Sequence, residues 1–310
     1  MFRLHLIKYG TKFDIMGKAK YLLTLAAIVV MTAIAFITFK GLNYGIDFKG
    51  GYIFEVRMPK DPDIQGLRDK LGGLGLGEVA IQQFGAKTDL MIKLEKSEEG
   101  KEQAVAIKKV KDSLGEGVEY KRVETVGAKV GGELVSNAIK AVTFALIAML
   151  LYIAIRFEWQ FGLCAIAALV HDCAIIFGMF SIFPVEFSET SITAILLTAS
   201  YSINDTVVIF DRIRENLRRF KKMELKELIN LSLNETLSRT TLTATTTLLA
   251  VLSLYIFGGK VIASFALPIM VGILVGTFSS IFVASPLLAY LNINRKDKSE
   301  KNTPPHANVR

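Results

Sequence analysis

Residues 190–210 read TSITAILLTASYSINDTVVIF, and this stretch decides the fold class because it is apolar over the roughly 20 residues needed to cross a bilayer. It carries a single formal charge, at Asp205. Five further apolar runs lie at residues 21–39, 134–155, 161–183, 240–257 and 261–292. Of the 310 residues 51% are hydrophobic, and the mean hydropathy is +0.41, values that favour a lipid solvent over water. The sequence therefore predicts an α-helical membrane protein with six transmembrane helices.

A signal peptide is the alternative interpretation of the first run, since Lys18 and Lys20 precede it as basic residues precede the apolar part of such a peptide. The run at 21–39 is long for that apolar part. Phe39 and Lys40 also stand where a cleavage site needs small residues. We therefore expect this run to be retained as the first transmembrane helix.

Lysine and arginine are concentrated in three segments, which precede the first run, follow the fourth and follow the sixth. Cytoplasmic loops of membrane proteins carry an excess of these residues. The pattern predicts cytoplasmic tails at 1–20 and 293–310, so that both termini are cytoplasmic, and a cytoplasmic loop at 211–238. Residues 40–132 then form a domain on the outer side, and residues 133–292 contain transmembrane helices 2 to 6.

The formal net charge of +8 lies beside the membrane-spanning runs rather than on a soluble surface with stacking aromatic residues. Nucleic-acid-binding domains show the second arrangement. We therefore expect no nucleic acid as a partner. The positive charge is better explained as a determinant of topology and as a contact for the headgroups of membrane lipids.

The segment from 40 to 132 is polar, and its hydrophobic period changes between two and about 3.6 residues, which is typical of a folded domain. The pattern predicts strands at 52–58, 78–84, 89–94 and 118–123, and helices at 64–71 and 101–114. This βαββαβ order predicts a small α+β, ferredoxin-like domain in the periplasm, a fold that hosts many functions. The segment has no histidine or cysteine and its carboxylates are scattered, so we expect no enzymatic activity.

A glycine-rich turn joins the first apolar run to the first strand. It reads GIDFKGG over residues 45–51, and its characteristic residues are Gly45, Asp47, Phe48, Gly50 and Gly51. Glycine permits positive φ angles and close approach of two backbones. The simpler interpretation is a tight turn that Asp47 caps, and the alternative is a functional motif.

Five polar or ionisable residues lie at membrane depth, namely His171, Asp172, Asn204, Asp205 and Arg239. Such side chains cost about 2.5 to 3.5 kcal/mol each on insertion scales, so each one is a functional candidate that needs a partner. Neighbouring helix residues point about 100° apart, so His171 and Asp172 cannot both face one partner. His171, Asp172 and Asn204 are candidates for a proton relay or for structural polar contacts.

The fourth and fifth runs are antiparallel, so Asp205 and Arg239 lie at similar depths and can meet. A paired guanidinium favours the ionised carboxylate, whereas separation in a dry helix bundle favours the protonated form. Relative movement of the two helices would therefore load and release a proton. Two alternatives remain, a static ion pair that fixes helix packing and an Arg239 side chain that extends to lipid headgroups.

A charged motif formed by Asp211, Arg212, Arg214 and Glu215 begins the predicted cytoplasmic loop. The segment at 224–231 that follows is amphipathic. The pattern predicts a helix along the inner membrane surface or a docking site for a cytoplasmic partner.

In their order and spacing, these segments resemble the SecD/SecF family of protein-export membrane proteins, which is related to the resistance-nodulation-division transporters. The resemblance covers nearly the whole chain. It rests on the motifs at 45–51, 126–134, 171–172, 201–206 and 211–215. In one departure, Gly127-Ala128 stands where the family usually has Gly-Pro, which loosens a rigid elbow before the second transmembrane helix.

The resemblance implies an auxiliary subunit of the Sec translocase in the bacterial cytoplasmic (inner) membrane, which pairs with SecD and uses the proton gradient to promote protein export. Asp205 and Arg239 match the family's intramembrane proton-pathway pair, to which SecD adds a further acid. Further implied partners are the SecYEG translocon, with YajC and YidC, the unfolded translocating polypeptide and membrane lipids. No cofactor and no metal are expected. The alternatives are a passive scaffold of the translocon and a half-transporter that exports a small molecule or lipid.

Overall fold

The computed structural model describes residues 12–83, 86–95, 101–183 and 185–291. In chain order its elements are a 3-10 turn (Met16–Lys18), α1 (Ala19–Lys40), α2 (Ile46–Lys49), β1 (Gly51–Arg57), α3 (Ile64–Gly72), β2 (Val79–Gln83), β3 (Asp89–Leu94), α4 (Lys101–Leu114), β4 (Glu119–Val126), α5 (Ala128–Arg156), α6 (Trp159–Ile182), α7 (Glu189–Arg219), α8 (Leu225–Phe257), α9 (Gly259–Ser279), a π-turn (Ser280–Ala284) and α10 (Ser285–Tyr290). Most of the predicted tail at 1–20 and all of the tail at 293–310 lie outside the described residues.

Within the described residues, six helical segments are long and apolar enough to cross a membrane, as the sequence predicts. Five of them are the single helices α1, α5, α6, α7 and α8. The sixth is composite, because α9, the π-turn and α10 follow one another without interruption. The chain is therefore mostly helical, with one small domain between its first and second spans.

The connection between the fourth and fifth spans differs from the predicted loop at 211–238. Both α7 and α8 extend into this region, so residues 220–224 alone link them. The amphipathic segment at 224–231 forms the beginning of α8, where Leu228 is buried in the same apolar cluster as Phe210 of α7. The predicted helix on the membrane surface is wrong, because the amphipathic pattern reflects the packing of two helices against each other.

The centre of the helix bundle is formed by α6, α7 and the composite sixth span. In an apolar stretch of 18 residues from each of them, 56%, 56% and 50% of the residues are buried. In α1, α5 and α8 the buried share is 11%, 6% and 11%. These three helices lie at the periphery and present most of their apolar side chains outward. Such surfaces are available to lipid or to a neighbouring membrane protein.

Two glycines of α9 allow close contact with α7. A Cβ atom on Gly276 would lie 2.9 Å from the Cβ atom of Ser202, and one on Gly272 would overlap the side chain of Thr198. Glycine pairs at this spacing let the backbones of two membrane helices approach. The contact brings the hydroxyl groups of both helices into the centre of the bundle.

The sheet domain comprises residues 51–126. Its strands are arranged in the order β2-β3-β1-β4, and every neighbouring pair is antiparallel. Alternate residues of β1, namely Tyr52, Phe54 and Val56, are completely buried against side chains of α3 and α4. The strands and helices of the described part of this domain lie close to their predicted positions.

An ion-pair cluster in the sheet domain centres on Asp89 of β3, whose side chain is 7% exposed. Its carboxylate accepts a hydrogen bond from Nε of Arg57 at 2.7 Å and another from Nζ of Lys121 at 2.9 Å. The hydrogen bond from Arg57, and then that from Lys121, lowers the pKa of Asp89 to about 2. The cluster ties β3 to β1 and β4.

Replacing Asp89 with asparagine is expected to destabilise the sheet domain at neutral pH, because the two cations stabilise the ionised carboxylate. The pKa of Asp89 is about 2 in the folded state and about 3.9 in the unfolded state. The ion pairs therefore add stability that is fully present above about pH 3.9 and is lost as the pH falls to about 2. Thermal unfolding of the detergent-solubilised chain should therefore separate Asp89→Asn from wild type at pH 7, and the two should converge near pH 2.

The matched control for this prediction is Asp61→Asn. Asp61 is an exposed carboxylate of the same domain and forms no ion pair among the described residues. Its replacement should leave the unfolding temperature unchanged at both pH values. A difference between Asp89→Asn and wild type that persists at pH 2 would contradict the electrostatic explanation.

Candidate functional site

A buried hydrogen-bond cluster in the helix bundle centres on Asp172 of α6, which is 1% exposed. Its Oδ2 accepts hydrogen bonds from the hydroxyl groups of Ser202 on α7 and Ser279 on α9, the latter at 2.8 Å. Its Oδ1 lies 2.9 Å from Nδ1 of His171. Asp172 therefore joins three spans, and His171 contacts Asp172 itself.

The π-turn of the sixth span extends this cluster. The hydroxyl of Ser280 donates to the backbone oxygen of Ser202 at 3.1 Å and lies 2.8 Å from the hydroxyl of Thr206. Short π-helical segments inside α-helices occur frequently at functional sites. Here the turn lets two consecutive residues, Ser279 and Ser280, contact α6 and α7 respectively.

Asp205 lies almost one helical turn after Ser202 on α7 and is 4% exposed. Its Oδ2 atom is buried and has no hydrogen-bond partner in the described part of the chain. A buried carboxylate without fixed hydrogen bonds is costly in its charged form. Its protonation therefore responds to changes in hydration and in the positions of nearby charges.

Arg239 lies on α8, and its side chain is exposed. No ion pair joins Arg239 to Asp205 in the described part of the chain, which comprises residues 12–83, 86–95, 101–183 and 185–291. The guanidinium acts on the carboxylate through its charge and not through a direct hydrogen bond. This arrangement differs from a static ion pair between the two helices.

Five further buried polar atoms have no hydrogen-bond partner within the described ranges, and three of them are the hydroxyl groups of Tyr201, Thr240 and Thr277. Tyr201 is on α7 and faces both Asp205 and Thr277 of α9. Buried polar groups are nearly always hydrogen bonded, either to protein or to water. The space where α7, α8 and α9 meet is therefore polar.

The structure divides the predicted intramembrane residues into separate groups. His171 and Asp172 belong to the serine cluster, and Asp205 belongs to the polar space between α7, α8 and α9. Asn204 is exposed and belongs to neither group. Because successive residues of a helix point about 100° apart, the burial of Asp205 turns Asn204 towards the surface of the bundle.

Sequence reasoning missed the hydroxyl residues that surround the two carboxylates, namely Tyr201, Ser202, Thr240, Thr277, Ser279 and Ser280. Serine and threonine are common in membrane helices, where they satisfy their hydroxyl groups on the local backbone. Two signals are available in the sequence, the threonine-rich stretch at 240–247 and the motif at 201–206, which contains Tyr201 and Ser202. Neither of them shows which hydroxyl groups face a carboxylate.

The charged motif after Asp205 joins α7 to α8. Arg212 donates from Nε to Oε2 of Glu235 on α8 at 2.7 Å and also pairs with Glu215 at 2.6 Å. Asn216 donates to the same Glu235 oxygen at 2.7 Å and to Ser232 at 3.0 Å. Glu235 and Asn216 were not among the predicted site residues.

The same motif joins α7 to α5. Arg156, the last residue of α5, pairs with Asp211 at 3.0 Å. Arg214 donates from its guanidinium to the backbone oxygen of Arg156 at 3.2 Å. Together with the Arg212–Glu235 pair, these contacts link the ends of α5, α7 and α8 at the end of the bundle opposite the sheet domain.

The glycine-rich turn is not a self-contained turn that Asp47 caps. The Oδ2 atom of Asp47 accepts a hydrogen bond from the backbone N–H of Glu189, the first residue of α7, at 3.3 Å. Gly45 donates its backbone N–H to the backbone oxygen of Phe187 at 2.9 Å. Gly50 has a φ of 84°, which favours glycine, and the next residue begins β1. The turn therefore contacts the connection between α6 and α7.

The chemistry available in the described residues is that of carboxylate, guanidinium, imidazole and hydroxyl groups. No group of three or more histidine, cysteine or acidic side chains is placed to hold a metal ion among them. The two cysteines, Cys164 and Cys173, are unpaired thiols inside α6. The site can hold and transfer protons and can change hydrogen-bond partners as helices move.

Two protein families match this chain. Residues 106–294 match the family described as protein export membrane protein SecD/SecF, C-terminal. Residues 35–58 match the SecD/SecF GG motif, which contains the glycine-rich turn. The first match includes both intramembrane groups of polar residues.

Two relatives are similar over nearly their whole length. The chain is 42% identical over 301 residues to the protein translocase subunit SecF of Rickettsia rickettsii (strain Sheila Smith), which covers 96% of this chain and 97% of the relative. It is 42% identical over 299 residues to the protein of the same name from Rickettsia conorii (strain ATCC VR-613 / Malish 7), with the same 96% and 97% coverage.

Two solved structures share the fold. The first is SecDF from Thermus thermophilus, described as a translocon-associated membrane protein, which matches this chain with a TM-score of 0.77 and 39% sequence identity. The second is SecDF in a super-membrane-facing form, which matches with a TM-score of 0.72 and 37% sequence identity. The matches cover 91% and 97% of this chain but 39% and 42% of those chains, so this chain spans well under half of SecDF. From the family matches and the full-length relatives, the chain belongs to the SecD/SecF family of protein-export membrane proteins.

Proposed function

We propose that this chain acts together with SecD to promote protein export across the bacterial inner membrane, and that it uses the proton gradient to do so. The relatives named protein translocase subunit SecF and the fold shared with part of SecDF support the role in export. The proposal that the chain uses protons rests on a single observation, the buried Asp205 carboxylate. One of its oxygens has no hydrogen-bond partner among the described residues, and the carboxylate lies within the electrostatic influence of Arg239.

Movement of α8 relative to α7 couples the proton to a change of shape. Approach of Arg239 favours the ionised Asp205, and withdrawal into a drier environment favours the protonated form. The Arg212–Glu235 pair holds the two helices together beyond this site and acts as their pivot. Asp172 and its serine partners link α6, α7 and α9, so that these three helices move as one unit relative to α8.

The proton gradient supplies enough energy for this movement. One proton that crosses a potential of about 150 mV releases roughly 3.5 kcal/mol from the electrical term alone. That free energy shifts a two-state equilibrium by a factor of several hundred, at roughly 1.4 kcal/mol for each factor of ten. The proposed work is mechanical and needs no covalent chemistry in this chain.

We assign the sheet domain to the periplasm and to the ferredoxin-like fold. The strand order β2-β3-β1-β4 with antiparallel neighbours supports that fold. Basic residues at the opposite end of the bundle, including Arg214 and Arg218, support a cytoplasmic position for that end. Both chain termini are then cytoplasmic, because six spans return the chain to the side on which it started.

The partners in this proposal are SecD, the SecYEG translocon with YajC and YidC, and the unfolded polypeptide that is exported. SecD would supply a further acid to the proton path. The exposed apolar surfaces of α1, α5 and α8 offer area for SecD and for membrane lipids.

Export of a secreted reporter into inverted membrane vesicles tests the proposal. Vesicles would contain SecYEG, its ATP-driven motor and SecD, with or without this chain, and would be measured with an intact and with a collapsed proton gradient. We expect the chain to increase export only when the gradient is intact. An equal increase without the gradient would favour the passive scaffold, and gradient-driven efflux of a small molecule or lipid without any effect on export would favour the half-transporter.

Replacing Arg239 with glutamine is expected to lower the gradient-stimulated part of export about tenfold, equivalent to about 1.4 kcal/mol, because the cation that favours the ionised form of Asp205 is removed. Arg239→Lys keeps the charge and should retain most of the stimulation. The measurement is the same vesicle assay, with SecD assembly confirmed by co-purification. Arg218→Gln removes an exposed cation at the end of α7 and serves as the control, for which no change is expected. Full stimulation in Arg239→Gln would contradict the role of this residue.

A further inference from the structure

The glycine-rich turn contacts the beginning of the helix that carries the proton-binding carboxylate. We propose that the turn and the connection between α6 and α7 form a joint that transmits movement of α7 to the sheet domain, with Asp47, Phe187 and the ion pair Lys93–Glu186 as its positioning residues. We use the word joint for residues 43–49, residues 185–189 and Lys93 together. This inference rests on the proposed function, since it names the route by which movement in the membrane reaches the domain outside it.

Asp47 links the turn to the first residue of α7. Its carboxylate accepts a hydrogen bond from the backbone N–H of Glu189, which is 142 residues away in sequence. The N-terminus of a helix stabilises a carboxylate through its unpaired N–H groups and its dipole. Ser188 and Ser191 already form a capping box at this end of α7, so starting the helix does not require Asp47. The contact therefore serves to connect two segments.

Backbone hydrogen bonds join the same two segments. Gly45 donates to the oxygen of Phe187 at 2.9 Å, and Phe187 donates to the oxygen of Asn43 at 2.7 Å. Tyr44 and Phe187 consequently form a parallel β-bridge. Gly45 is buried in this bridge, and a Cβ atom added to it would lie 3.5 Å from the backbone oxygen of Phe187. Because the bridge fixes the direction as well as the distance of the two backbones, they move together.

Phe187 also anchors an aromatic cluster. Its ring stacks on Phe48 of the turn at a centroid distance of 5.7 Å and meets the edge of Tyr44 at 6.0 Å. On its other side it contacts Phe177 at 5.7 Å and Phe180 at 5.3 Å, both in the last turns of α6. Phe187 is 7% exposed, so this packing is largely protected from solvent.

An ion pair joins the connection to the sheet itself. Nζ of Lys93 on β3 lies 3.1 Å from Oε2 of Glu186, and the two side chains are 14% and 29% exposed. Partly buried pairs are screened by salt less than fully exposed ones. The pair therefore adds a second attachment between the joint and the domain, besides the covalent one through β1.

The geometry allows movement to pass along this route. Asp205 lies 16 residues after Glu189, which corresponds to about 24 Å of continuous helix. A tilt or shift of α7 at the proton-binding carboxylate therefore displaces its first residue as well. At that end, Asp47 and the β-bridge connect α7 to the segment that enters β1 at Gly51.

Charge reversal of the ion pair tests the joint in the full chain assembled with SecD. In the vesicle assay, Lys93→Glu and Glu186→Lys should each lower the gradient-stimulated part of export about fivefold. Export without the gradient should stay at the wild-type level. The double variant Lys93→Glu/Glu186→Lys restores an ion pair with the opposite polarity and should regain most of the stimulation.

The matched control is the ion pair between Glu55 and Arg122, which are 3.8 Å apart on neighbouring strands within the sheet domain. Glu55→Lys and Arg122→Glu should leave the gradient-stimulated export unchanged. Single reversals at Lys93 and Glu186 that behave like these controls would overturn the inference. A double variant that remains as low as the single ones would overturn it as well.

Hydrogen exchange separates failure of the joint from failure of the proposed function. Asp47→Ala should accelerate exchange of the Glu189 backbone amide in the purified SecD complex, whether or not the gradient stimulates export. Asp63→Ala is the control, because Asp63 accepts a backbone hydrogen bond at the start of α3, away from the joint. Unchanged exchange at Glu189 would overturn the joint, whereas accelerated exchange with no gradient stimulation in wild type would overturn the proton-driven function alone.

Discussion

Replacing Asp205 with asparagine is expected to abolish the gradient-stimulated part of export while the chain remains folded and assembled with SecD. Asparagine has nearly the shape of aspartate but does not titrate between pH 5 and 8. Asp205 is 4% exposed and its Oδ2 atom has no hydrogen-bond partner among the described residues, so a neutral side chain there breaks no fixed contact of that atom. The variant therefore removes the exchangeable proton with little effect on packing.

Asp211→Asn provides the matched control for this experiment. Asp211 lies on the same helix, and its side chain is 44% exposed and paired with Arg156. Exposed ion pairs contribute only about 0 to 1 kcal/mol, so its loss should leave both stability and stimulation close to wild type. The readout is reporter export into inverted vesicles with intact and collapsed gradients. Persistent stimulation in Asp205→Asn would remove this residue from the proton path.

Replacing Gly276 with valine is expected to destabilise the helix bundle by about 3 kcal/mol, which is near the upper end of typical overpacking costs. Even a Cβ atom at this position would lie 2.9 Å from the Cβ atom of Ser202 and 3.3 Å from its Cα atom. Since the second contact is with backbone, α7 and α9 must separate. Separation also strains the hydrogen bonds by which Ser202 and Ser279 reach Asp172.

Thermal unfolding of the purified chain measures this effect, with an expected decrease of roughly 10 °C in the unfolding temperature. Gly132→Val is the control, because Gly132 lies in α5 and an added Cβ atom would meet no other atom within 4 Å. It should unfold within a few degrees of wild type. Equal unfolding temperatures for the two variants would show that α9 can move away from α7 without loss.

The spans and the elements of the sheet domain could be predicted because each depends on a local pattern. An apolar run of bilayer length predicts a membrane helix wherever it packs, and the alternation of residues 52–58 predicts a strand before its partners are known. The ends of helices were less predictable. The charged residues of α7 beyond Phe210 resemble a loop, yet they remain helical because Arg212 and Asn216 bind Glu235 of α8.

The candidate site was only partly predictable, because its partners are distant in sequence. Asp172 and Asp205 stood out as carboxylates at membrane depth, but the hydroxyl groups around them look ordinary in the sequence. Asp47 illustrates the same limit. A carboxylate between glycines indicates a local cap, whereas the backbone N–H that it binds belongs to a residue 142 positions later.

The π-turn of the sixth span marks the place where the length of this segment can change. Its i→i+5 hydrogen bonds take up one residue more than an α-helical turn at Ser280–Ala284, so α9 and α10 keep their faces despite the extra residue. Deletion of a single residue there would leave an ordinary α-helix with the same faces on either side, but it would disturb the hydroxyl contacts of Ser280 with Ser202 and Thr206 and of Ser285 with Ser280. In related sequences, loss of one residue at this point would therefore keep the course of the helix and change the local polar contacts.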